Sequence, residues 1–233
     1  MAVVTLAIVG LVLIITLSIS WHKANQLNRL NDSDLYKSLY AQLSPTEPTD
    51  GRIWSPDDFS NVQLFIVDDV TKEQPELQAV QIFVYDEDTN TASIVDVPLN
   101  TKVWLSEGVS YLPAQFEAGG AAQALPPLTN ATNVHVSHVI VATDRIWDQL
   151  NSFEGPAIKA LFTKQTNDFA TISSDFDSAE LIEFAERVQE IGLDNIYHVE
   201  AACWGDVLAD GTEVSVVDWQ ELPTQVGIFT WPA

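Results

Sequence analysis

The chain has 233 residues, 10 of them basic and 33 acidic, for a net charge of −23. That length allows one mid-sized domain plus an appendage and a full hydrophobic core, so neither a disulfide nor a metal is needed for folding. The charge excludes nucleic acid as a partner, because such a surface repels phosphate backbones and anionic lipid surfaces. A single cysteine, Cys203, rules out an intramolecular disulfide and argues against a thiolate metal centre. Beside Trp204 it is expected to pack in the core.

Residues 1–20 predict a membrane anchor. Val3–Ile19 carries no charge, and as a helix residues 2–20 would span about 28 Å, close to a bilayer core. Trp21 and Lys23 follow where interfacial anchors belong. The rival is a cleaved signal peptide ending near Ser18-Ile-Ser20, which lacks a basic region ahead of the apolar run. Lys23, Arg29 and Lys37 all follow the span, so flanking charge alone places the rest of the chain in the cytoplasm. Four basic and four acidic residues precede Asp57, so the net −23 lies wholly from Asp57 onward.

Residues 21–56 are expected to form an amphipathic stalk and linker. Leu27, Leu30, Leu35, Leu39 and Leu43 recur at helical spacing, and residues 44–51, with two prolines, cannot continue a helix. An acidic α/β domain then occupies residues 57–233. Asn61–Val67 is a nearly continuous apolar strand, suited to a sheet covered on both faces. Ala79–Tyr85 and Ala92–Val97 form a hairpin around the acidic turn at residues 86–90. A short strand is expected at Lys102–Leu105. Gly119-Gly120 and Pro126-Pro127 bracket a short alanine-rich helix. Val134–Ala142 is another buried strand, followed by helices over Asp144–Phe153 and Pro156–Lys164. Ser178–Ile191 is the clearest helix, capped by Asp177 with Glu180 and ended by Gly192. Strands near Ile196–Ala202 and Glu213–Val217 close the chain. Strands alternating with helices predict an α/β fold, a central mixed β-sheet sandwiched by helices and preceded by one transmembrane helix.

Few residues offer chemistry. Asp68-Asp69 follows a strand end, where carboxylates hold Mg²⁺ in many proteins, although a solvated acidic turn is the simpler explanation of the pair. His135 and His138, three apart on one strand, face opposite sides and cannot share a metal. Lys102 and Arg145 are the cations that an enzyme with relocated residues would recruit beside Asp68 and Asp69. No glycine cluster forms a phosphate-cradling loop.

The order of these segments resembles the LytR-CpsA-Psr family of membrane-anchored cell-envelope enzymes. NVQLFIVDD is similar to that family's first core strand and following Asp. IFVYDEDTNTASIVDVPLNT is similar to its hairpin ending in Ile-Pro-Arg-Asp-Thr. YLPAQFEAGG, HVIVATDRIWDQLNSFEG and the closing LDNIYHVEAACWGDVLADGTEVSVVDWQEL match later segments, so the likeness runs from about Asn61 to Leu222. The resemblance implies a fold that takes a polyprenyl-pyrophosphate glycan on arginines and Mg²⁺ on Asp residues, then transfers the glycan phosphate to an acceptor. Here only Asp68 matches, as a vestigial metal residue. The arginine positions hold Glu76 and Leu99, the second metal Asp is Gln78, and the loop Asp is Asn100. Further arginines are deleted between Gly155 and Ala157. A pyrophosphate needs cationic partners, so a degenerate, non-catalytic member is expected. Such a member is expected to have no cofactor, to be anchored in the cell membrane with its domain outside, and to bind a polyprenyl-linked glycan or another envelope protein.

Overall fold

The structure, a computed structural model, describes residues 30–151 and 172–232. The expected anchor over residues 1–20, the helix Pro156–Lys164 and the Gly155–Ala157 deletion lie outside them. No helix among the described residues is long and apolar enough to cross a membrane.

Six strands make the central sheet. In chain order they are β2 (Phe59–Val67), β3 (Leu77–Asp86), β4 (Thr91–Val97), β7 (His138–Ala142), β8 (Ile172–Ser174) and β9 (Tyr197–Glu200), arranged β8-β7-β2-β3-β4-β9. The β2-β3-β4 meander and the β7-β8 pair are antiparallel, while β7 and β9 run parallel to β2 and β4. The sheet is therefore mixed, as expected.

Both faces are covered, and side-chain alternation divides the core. Phe65, Val67, Val80, Ile82, Val84, Val95 and Val97 belong to one apolar cluster. Val62, Leu64, Ile66, Phe83, Tyr85 and Ile94 belong to the other. Two-sided burial is why β2 reads as a continuous apolar run.

Helix α1 (Ser33–Tyr40) and helix α2 (Leu112–Thr132) cover the first face; α3 (Ile146–Asn151) and α4 (Ser178–Ile191) cover the second. The α4 cap is as read: Asp177 accepts from the Ala179 and Glu180 amides, and Glu180 accepts from the Asp177 amide at 2.8 Å. Small sheets complete the fold. β1 (Ile53–Trp54) pairs with β12 (Phe229–Thr230), β5 (Lys102–Leu105) with β6 (Gly108–Tyr111), and β10 (Cys203–Val207) with β11 (Glu213–Val217). A short helix α5 (Glu221–Gln225) precedes β12.

Four expectations change. Residues 30–56 are no free stalk and linker. Leu30 and Leu35 are buried in the two cores, because the apolar face of α1 finds the domain's own surface. Gln42 exchanges two hydrogen bonds with the Val136 backbone, and Asn133 does the same with Thr46. Arg52 pairs with Glu221 at 2.7 Å. Secondly, Pro126 and Pro127 lie inside α2 and do not bound it; the helix ends at Asn133, a left-handed residue. Thirdly, the strand expected at Val134–Ala142 starts at His138, since the preceding backbone bonds to Gln42 and Asn61 instead. Finally, Cys203 is exposed, because every residue of β10 is.

Candidate functional site

A cleft opens where three segments meet on the α1–α2 face. One is the loop between β2 and β3, another the turn after β4, and the third a break in α2. Gly119 and Gly120 interrupt that helix with non-helical backbone, φ −163° and +66°. The positive φ at Gly120 suits a residue without Cβ. The cleft encloses about 770 Å³ and is lined by Glu73, Pro75, Glu76, Leu77, Leu99, Pro113, Phe116 and Glu117, among others. Leu77 and Phe116 are buried, whereas Leu99 and the three glutamates are exposed.

Asp68, at the end of β2, closes the neighbouring loop. Its Oδ1 accepts the amides of Asp69 (2.8 Å) and Glu76 (2.9 Å), and its Oδ2 accepts from the Lys72 ammonium. The lysine bond first, then the Glu76 amide, holds the Asp68 carboxyl below its ordinary pKa, and Asp68 in turn raises Lys72. Asp69 is likewise lowered, chiefly by the Thr71 hydroxyl, which donates to it at 2.7 Å alongside the Thr71 amide at 2.9 Å. Both acids thus build the loop. No group of three His, Cys, Asp or Glu side chains suited to a metal exists among the described residues. A Mg²⁺ at Asp68 would have to displace Lys72, with exposed Gln78 in place of a second carboxylate. The residues present do not fit that ion.

The other candidates are dispersed. Asn100 braces the turn after β4, donating to the Glu213 carbonyl at 3.3 Å and accepting from the Ser215 hydroxyl at 2.9 Å. Lys102 pairs with Asp206 at 2.8 Å and sits 5.7 Å from the Trp104 ring. Arg145 is exposed just before α3, a helix on the opposite face of the sheet from the cleft. His138 donates or accepts through Nδ1 to Asp175 at 2.8 Å and stacks on Phe176 at 4.0 Å, a packed edge histidine as read. His135 is exposed. What the sequence did bring together is Glu76 and Leu99, which share one cleft from positions 23 residues apart. Glu73, Phe116 and Glu117 escaped the sequence reading. Their one signal is the Phe116-Glu117 pair standing just ahead of the Gly119-Gly120 break.

Solved structures share this architecture. TagV of B. subtilis superposes with a TM-score of 0.51 at 10% identity, covering 74% of this chain and 97% of that one. A structure of TagT bound to LI-WTA gives 0.52 at 12% identity, covering 79% and 96%. Lin1025 from Listeria innocua gives 0.52 at 12%, covering 72% and 95%. The chain has a LytR-CpsA-Psr-like fold. No family model and no curated protein matches it. At such identities the likeness carries the fold alone; Glu76 and Leu99, the positions where the sequence resemblance expects arginines, both line the cleft.

Proposed function

We propose that this is a non-catalytic member of the cell-envelope glycopolymer machinery, a binding or accessory module anchored in the membrane by residues 1–20 with its domain outside. The observation that carries the reading is the lining of the cleft, where Glu73, Glu76 and Glu117 stand around Leu99. Phosphoryl transfer depends on positioning and on cationic stabilisation of developing charge. A cleft of this composition offers neither to a pyrophosphate. Asp68, engaged by Lys72 and two amides, is a loop strut in this account. The alternative, a metal-dependent transferase with relocated residues, needs Lys102 or Arg145 to converge with Asp68 and Asp69. The separate engagements of Lys102 and Asp68 speak against it.

The test is a transfer assay with the full chain, a polyprenyl-pyrophosphate-linked glycan, Mg²⁺ and peptidoglycan. No transfer above the protein-free background is expected. Transfer that disappears in Asp68→Ala would establish the enzyme instead.

A further inference from the structure

We propose that the cleft beside Gly119-Gly120 binds a small organic cation, an ammonium group carried on an apolar body. This rests on the domain being a binding module and names the ligand class of that same site. Size comes first. About 770 Å³ falls within the range of small-molecule pockets, roughly 300–1,000 Å³. The floor is apolar, built from Leu77 and Phe116 with Pro75 and Pro113 beside them, so a hydrocarbon or aromatic body gains by burial there. Charge then selects the head group. The charged lining consists of Glu73, Glu76 and Glu117, and no basic residue lines the cleft. None of these three carboxylates is in an ion pair among the described residues.

Opposing terms are smaller. Lys72 lines the adjoining hollow beside Glu73 and Phe116; Asp68 engages it first, and its charge also acts on Asp69 and Glu76. The second part of α2, residues 121–132, begins at the cleft, and its N-terminus presents roughly half a positive charge. Residues 112–118 end at the same break with the opposite sign, so the two dipoles offset each other. Three whole negative charges remain.

The experiment is calorimetric titration of the full chain in phosphatidylcholine nanodiscs, with empty nanodiscs as the blank. The probes are 4-phenylbutylammonium, 4-phenylbutyrate and 4-phenylbutanol, which share one body and differ in charge. The cation is expected to bind at one site at least tenfold more tightly than the anion, with the alcohol between. Glu76→Gln with Glu117→Gln should weaken the cation at least fivefold. Glu186→Gln with Glu190→Gln, the same charge loss on the exposed side of α4, should change it less than twofold. Three results overturn the proposal: an anion bound as tightly as the cation, no binding of the cation, or equal weakening by both double variants. Such a result leaves the transfer assay unaffected, whereas glycan transfer would remove the non-catalytic reading without touching the ligand class measured here.

Discussion

Asp68 shows how one residue type at one position admits two chemistries that differ only in its neighbours. With free lone pairs it would be a metal ligand. With Lys72 and the amides of Asp69 and Glu76 on its oxygens it is the clasp of the loop between β2 and β3. Its carboxyl is held below the ordinary value, so the folded state favours the ionised form. That contribution is present above the unfolded value of about 3.9 and is lost as pH falls through the depressed folded value. Amide-exchange protection at Asp69 and Glu76 should accordingly fall on acidification below about pH 4. In Asp68→Ala it should be low already at neutral pH and show no step. Titrating that variant with Mg²⁺ should give the same response as the wild type. A lost Mg²⁺ signal would restore the metal role. The sequence could not separate these cases, because Lys72 and Glu76 sit in a polar loop whose path no periodicity reveals.

At the level of elements, what was legible was what local rules determine. β2, β3 and β4 announce themselves through branched and aromatic runs, and α4 through its cap. Two of the misreadings, the stalk and the start of β7, share one cause, a tertiary partner invisible in the sequence. The apolar stripe of α1 is plain from spacing, but spacing does not say what covers it; here the domain does. Leu35→Ala should therefore destabilise the whole domain by about 2–5 kcal/mol, the usual range for a buried leucine, read as a shifted denaturant midpoint. An unchanged midpoint would return α1 to the role of a free stalk. Pro126 and Pro127 look like helix boundaries, yet α2 carries them in its interior and breaks at the glycines instead. Replacing Gly120, at φ +66° and ψ −161°, with alanine should cost about 1–3 kcal/mol, because that backbone region is essentially reserved for glycine, and should alter the cleft. A full-strength fold in Gly120→Ala, measured by thermal unfolding, would show the break to be dispensable. For the site, the sequence located Glu76 and Leu99 through segment order. It missed Glu73 and Glu117 because scattered glutamates in a very acidic chain carry no pattern.

For the whole molecule, the open question is the side of a membrane on which the proposed module would work. Flanking charge points the domain inward, whereas the proposed role needs it outside. The exposed Cys203, alone of its kind in the chain, is a natural reporter. A membrane-impermeant maleimide applied to intact cells should label it, and Cys203→Ser should not be labelled. Labelling only after lysis would place the domain in the cytoplasm and end the envelope role. The central proposal, however, is that the cleft has no attraction for anions. Farnesyl pyrophosphate with Mg²⁺, titrated into wild type and into the Glu76→Arg, Leu99→Arg double variant, measures that directly. The account predicts no saturable binding to the wild type and at least a tenfold gain in the double variant, since each guanidinium adds a bidentate phosphate partner. Saturable binding to the wild type that the two arginines leave unchanged would contradict it.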